Sequence, residues 1–146
     1  MILPDVNVLI YAFRSDAEGH LNYKRWLEHT ISGPAAYGVS PQVLSGVVRI
    51  TTHPRIFGRP SRAEQALDFC ETILRQPNAT VIEPGPRHWS IFRELCVGAQ
   101  ACGNLVQDAW LAALAIESGC EWITTDRDFS RFPGLTWRPP DLAVAR

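Results

Sequence analysis

Short apolar runs alternate along this chain with longer segments whose apolar residues recur at helical spacing. The run Ile2-Leu3-Pro4 reads as a strand and delivers Asp5. Val6 to Phe13 then reads as a short helix. Asp16 to Gly19 is polar loop. His20 to Ile31 brings Leu21, Trp26, Leu27 and Ile31 onto one helical face, and Gly33-Pro34 stops that helix. Ala36 to Val39 is the second strand. Ser40-Pro41 supplies an N-cap and a proline at the first helical position. The helix they open carries Val43, Leu44, Val47, Val48 and Ile50 and ends before His53-Pro54.

Beyond the loop Arg55 to Pro60, Ser61-x-x-Glu64 has the spacing of a capping box. It predicts a helix to about Gln76, with a stripe of Ala63, Ala66, Leu67, Cys70, Ile73 and Leu74. Thr80 to Ile82 is the third strand. Gly85-Pro86 introduces a helix from Arg87 to about Cys102, with Trp89, Phe92, Leu95 and Cys96 facing inward. Gly103-Asn104 breaks it. Gln107 to Ser118 is an alanine- and leucine-rich helix closed by Gly119. Glu121 to Thr124 is the fourth strand, Asp128 to Phe132 one helical turn, and Leu135 to Trp137 a short last strand. Pro139-Pro140 ends the ordered domain.

Strands alternating with helices in this way predict an α/β fold whose mostly parallel sheet is covered on both faces. Such a sheet gathers the residues just after each strand onto one edge, where open α/β folds keep their active sites. The 146 residues fit a single domain, and 46% hydrophobic content is enough for a real core. The net charge of −1 excludes a polycation, so any nucleic-acid binding has to come from a local basic patch. No run approaches the roughly 18 apolar residues of a membrane span, and no signal-peptide pattern opens the chain. The expectation is a cytoplasmic protein. Cys70, Cys96, Cys102 and Cys120 form no C-x-x-C pair and fit free thiols in a reducing compartment better than a zinc site.

Three carboxylates stand out by placement. Asp5 follows the first strand, Asp126 follows the fourth, and Asp108 lies in the first turn of the alanine-rich helix. Asp128, two residues past Asp126, is a fourth candidate. Clustered carboxylates repel each other and call for a compensating charge. A hard cation, Mg²⁺ or Mn²⁺, supplies it and can activate water for phosphodiester hydrolysis. Each acid also has a purely structural reading: Asp108 as a cap or dipole partner of its helix, Asp128 as an N-cap, Asp126 as a turn residue. Asp5 is the hardest to read that way, because an apolar strand should not end in an unpaired buried carboxylate.

Between Glu28 and Glu64 the chain contains no acid, yet it holds Arg49, Arg55, Arg59, Arg62, His29 and His53. Arginines in the loop Pro54 to Pro60 suit phosphate contact, while a solvated basic loop or a partner-binding surface is the plainer alternative. The tryptophans Trp26, Trp89, Trp110, Trp122 and Trp137 read mostly as core, with base stacking open to one or two.

Taken together, Asp5-Val6-Asn7-Val8-Leu9-Ile10-Tyr11, Asn104 to Ala113 and Thr124-Thr125-Asp126-Arg127-Asp128-Phe129 resemble a PIN domain. More narrowly, the chain resembles a VapC-type toxin of a bacterial toxin–antitoxin pair, over nearly its whole length. The resemblance implies a PIN-like three-layer α/β/α sandwich over residues 1–140, with a C-terminal tail at 141–146. It implies a metal-dependent endoribonuclease that cleaves RNA with metal-activated water. It also implies inhibition by a cognate VapB-type antitoxin, homodimerisation and assembly into a toxin–antitoxin hetero-oligomer. By the resemblance Asp5, Asp108 and Asp126 bind Mg²⁺ or Mn²⁺, Asp128 matches an acid present in many members, and Thr124 matches the family's hydroxyl before the last acid; Asn7, at the same edge by its placement, is a supporting residue that can orient a ligand or water. One departure is plain: the family's glutamate on the helix after the second strand falls at Gly46, so the acidic quartet lacks a member. That motivates an alternative, a catalytically weak PIN fold that binds RNA or a partner. A haloacid-dehalogenase phosphatase is disfavoured, since Asn7 stands where its second aspartate belongs and Lys24 is the only lysine. No G-x-G-x-x-G occurs to support a dinucleotide site.

Overall fold

The computed structural model describes residues 1–143, so residues 144–146 of the expected tail lie outside the described residues. Five short strands form one sheet: β1 (Ile2–Pro4), β2 (Tyr37–Val39), β3 (Ala79–Val81), β4 (Glu121–Ile123) and β5 (Trp137–Arg138). Their order is β3-β2-β1-β4-β5 and every pairing is parallel. Six helices connect them: α1 (Val6–Phe13), α2 (His20–Ser32), α3 (Pro41–Thr51), α4 (Ala63–Leu74), α5 (His88–Gly98) and α6 (Asn104–Ser118). A 3-10 turn spans Arg127–Arg131. No helix among the described residues is long and apolar enough to cross a membrane.

Parallel neighbours need crossover connections, and these keep one hand. From β1 the chain steps through β2 to β3, and α1 to α4 pack together. It then returns across the sheet to place β4 on the other side of β1, and α5 pairs with α6. Travel along the sheet therefore reverses between β1 and β4. Beyond the strand ends at such a reversal, diverging helices leave a crevice. Leu3, Tyr37, Trp122 and Ile123 bury the sheet. Against it α6 buries Ala109, Ala112, Ala113 and Ala115, whose small side chains permit close helix–sheet packing.

Local chemistry accounts for most element ends. Ser40 caps α3 by accepting a hydrogen bond from the Val43 N–H, with Pro41 at the first helical position. Gly119 ends α6 in the left-handed region at φ 69°. Four expectations fail. Ser61 does not cap α4; its hydroxyl accepts instead from the Arg14 guanidinium, and α4 opens at Ala63 behind Arg62. Trp89 does not face inward and is 65% exposed. The turn of α5 that buries His88 and Leu95 puts Trp89 and Val97 outside, and His88 is accommodated because its Nε2 meets the Trp110 carbonyl at 2.9 Å. Leu21 on α2 and Leu67 and Leu74 on α4 are likewise exposed, because the buried stripe of α2 narrows to Trp26 and Leu27 and that of α4 to Ala66, Cys70 and Ile73. Finally, α6 starts at Asn104, so Asp108 stands past its first turn.

Candidate active site

The crevice beyond β1 and β4 is an open cleft of about 700 Å³. The chain's path brings Asp5, Asp108, Asp126 and Asp128 to it. Asp5 leaves β1 in extended conformation and heads α1. Its Oδ1 accepts from the Val6 N–H at 2.6 Å, and its Oδ2 accepts from the Thr124 hydroxyl at 2.6 Å. The carboxylate is only 6% exposed. Burial pushes its pKa up to about 6, against the pull of the Thr124 and Val6 hydrogen bonds, and Asp126 adds repulsion. Asp108 comes from α6 and lines the same acidic side of the cleft. It too is raised to about 6, by burial first and then by Asp126, Asp5 and Asp128. Both shifts come first from burial, and each acid also feels the charge of Asp126.

Thr124 organises this corner. Its one proton goes to Asp5, so it accepts from the Asp126 N–H at 3.1 Å and from Asn7 Nδ2 at 3.4 Å. That fixes the Asn7 amide and leaves its buried Oδ1 without a partner among the described residues. Asp126 turns out to be the N-cap of the 3-10 turn, accepting from the Asp128 N–H at 2.9 Å. This corrects the expectation that Asp128 caps it. Asp128 sits two residues later, exposed, with Arg131 3.7 Å away.

The α3 wall is different. It presents Gln42, Ser45, Gly46 and Arg49 to the cleft, and no carboxylate. A Cβ at Gly46 would come 3.1 Å from Val6 Cγ2, so the glycine lets α3 cross close to the residue next to Asp5. Of the four arginines singled out in sequence, only Arg49 lines the cleft. Arg62 faces Glu64 at 3.4 Å on the surface. Arg55 and Arg59 are exposed on the adjoining loop. That loop is held by an element the sequence did not reveal. Arg14, 8% exposed, donates to the Arg59 carbonyl at 2.8 Å, to Ser61 Oγ at 3.0 Å and through two nitrogens to Asp16, with the Phe57 ring 4.1 Å from its guanidinium carbon.

Cation binding is compatible with this donor set. It consists of carboxylate and amide oxygens, the ligands hard divalent ions take, and the orphaned Asn7 Oδ1 adds a free acceptor. Among the described residues no three ligating side chains close around one point, so the acids form a wall rather than a cage. Magnesium, which keeps several of its waters, suits an open wall of this kind.

A PIN-domain model matches residues 2–135. The chain belongs to the PIN-domain family. Ribonuclease VapC43 of Mycobacterium tuberculosis (strain ATCC 25618 / H37Rv) is 39% identical over 140 residues, covering 96% of this chain and 95% of the relative. Ribonuclease VapC25 of the same strain is 39% identical over 141 residues, covering 96% and 99%. In structure, VapBC2 from Rickettsia felis bound to a DNA fragment from their promoter aligns with a TM-score of 0.70 at 20% identity, over 97% of this chain and 100% of that one. VapBC-1 from nontypeable Haemophilus influenzae aligns with a TM-score of 0.67 at 19% identity, over 95% and 98%. The PIN fold expected from the motifs is therefore the fold observed.

Within this PIN domain the cleft also takes in Gln42, Asn104, Gln107, Leu111 and Ile56, which sequence reading did not select. Helical spacing alone would have found two of them. Asn104 and Leu111 stand four residues before and three after Asp108, on its face of α6. Gln42 and Ile56 depend on how α3 and the following loop cross the sheet edge.

Proposed function

We propose that this PIN-domain protein is a cytoplasmic endoribonuclease of the VapC type, dependent on Mg²⁺ or Mn²⁺. In this reading it is the toxin of a VapBC-type pair, restrained by a cognate VapB-type antitoxin and assembling as a homodimer and with that antitoxin. The observation that carries the reading is the convergence of Asp5, Asp108, Asp126 and Asp128 on one open cleft at the sheet reversal. The named ribonucleases to which the chain is 39% identical support it, and the VapBC fold neighbours support the partner.

Asp5, Asp108 and Asp126 would hold the cation, with Asp128 at the outer rim. When bound, the cation neutralises phosphate charge and makes water acidic enough to supply a nucleophile near neutral pH. Thr124 holds Asp5 in one orientation by its hydroxyl proton. Asn7, anchored to Thr124, offers its Oδ1 to a ligand or an ordered water. Arg49, Arg55, Arg59 and Arg62 supply positive charge for RNA or for the antitoxin.

Expression of Asp5→Ala without antitoxin tests the assignment. The wild type should arrest growth and cleave RNA when Mg²⁺ is supplied, and the variant should do neither. Persistence of both effects in the variant refutes the site. The cleft face of α3, bare of carboxylates at Gly46, favours a second reading, a PIN fold that binds RNA or a partner with little cleavage. Purified protein that binds RNA yet leaves it intact with either cation would support that reading.

A further inference from the structure

The two walls of the cleft carry opposite chemistry. Asp108 on α6 and Asp5, Asp126 and Asp128 at the ends of β1 and β4 make one wall acidic. On α3, Gln42, Ser45 and Arg49 lie at i, i+3 and i+7, a single stripe of hydrogen-bond donors, with Gly46 between them. Arg49 is exposed and makes no salt bridge among the described residues, although four carboxylates line the same space. An unpaired guanidinium facing an acidic wall is placed for an anion that comes between them. Gly46 contributes by its missing side chain. The close approach of α3 to Val6 seats this helix against the start of α1, and Arg49, one turn on from Gly46, lines the same cleft as Asp5.

We propose that Arg49 is the phosphate-binding residue of this cleft, taking the non-bridging oxygens of a single-stranded RNA phosphate from the α3 wall opposite the aspartates. The inference rests on the ribonuclease reading and deepens it. The guanidinium fork matches two phosphate oxygens at once, which an ammonium does not. It also offsets the repulsion that four carboxylates exert on an approaching polyanion. Arg55 and Arg59, outside the cleft, then serve only general attraction, and Arg62 shares its charge with Glu64.

Binding of a fluorescently labelled single-stranded RNA to the full chain in EDTA, where no cation is available, separates these roles. Arg49→Ala should weaken binding by about tenfold, and the slope of log K against log salt should become shallower by about 0.7, the value of one phosphate contact on a single strand. Arg49→Lys should recover part of the affinity, and Arg55→Ala should cost less than Arg49→Ala. The side chain is exposed, so thermal melting should be unchanged, and calorimetric titration with Mn²⁺ should show no loss of cation affinity. Wild-type affinity in Arg49→Ala overturns the proposal. So does normal RNA binding combined with weakened binding of the cognate antitoxin, which would place Arg49 at a protein interface. If the wild type itself neither binds nor cleaves RNA, the ribonuclease reading falls and takes this inference with it. If the wild type binds and Arg49→Ala binds equally, only the inference falls.

Discussion

Asp5 is asked to do two things with one carboxylate. It secures the start of α1 through the Val6 N–H, and it faces the cleft beside other acids. Its pKa of about 6, against an ordinary 3.8, means that the folded state holds a proton the unfolded chain has already released. The sign follows. Between about pH 4 and pH 6 the native state binds more protons than the unfolded one, so this group's contribution to stability falls as pH rises. Asp5→Asn removes the titration. In chelator, the wild type should lose stability relative to Asp5→Asn as pH climbs through that window, read as the difference between their melting temperatures. Parallel curves would show that Asp5 titrates normally. Taking the difference matters, because Asp16 and Glu117 have lowered pKa values and pull the absolute curve the other way. Asp5 and Asp126 were legible in sequence because a strand end is a local feature; Asp108 was picked out as well, but the start of its helix was misplaced, since α6 opens at Asn104. The exchange of roles between Asp126 and Asp128 was not legible, since either aspartate can cap a turn and only the backbone path decides which one does.

Among elements, the loop after α3 is the clearest case of structure imposed from a distance. Arg14 ends α1, yet its guanidinium serves the backbone of Arg59 and the hydroxyl of Ser61, over forty residues away in sequence. Removing it strands an acceptor carbonyl, a hydroxyl and the face of Phe57. Arg14→Ala should cost about 2 kcal/mol in denaturant unfolding, the scale of hydrogen bonds to a charged group. It should also speed hydrogen exchange selectively in residues 54–61. Exchange unchanged there would mean that the loop is held by other contacts. The same clamp explains why one cap was legible and another was not. Ser40 is followed by proline and an apolar helical pattern, and nothing competes for its hydroxyl. Ser61 has the right spacing to Glu64, but Arg14 claims it, and no local rule reports such a claimant.

For the molecule as a whole, the alternation of strands and helices was enough to foresee a parallel sheet. The strand order depends on which crossover goes where, and the alternation of elements does not report that. The order matters for ligand linkage. If the acids from β1, β4 and α6 hold one cation together, Mn²⁺ binds only the folded chain and should raise the melting temperature by several degrees at saturating concentration. Asp108→Asn should abolish most of that rise, while an equal rise in the variant would place the ion elsewhere. The position of β4 has a further consequence for synthesis. This strand is made after β1, β2, β3 and all six helices, yet it docks in the middle of the sheet, beside the first. Pairings this distant in sequence form slowly and late. A nascent chain can present Asp5 on β1 and all of α3 without Asp108 or Asp126 opposite them. No translation product that stops short of Asp126 therefore carries the cleft, and the hazard of making a nuclease begins only once β4 and the residues after it have been made.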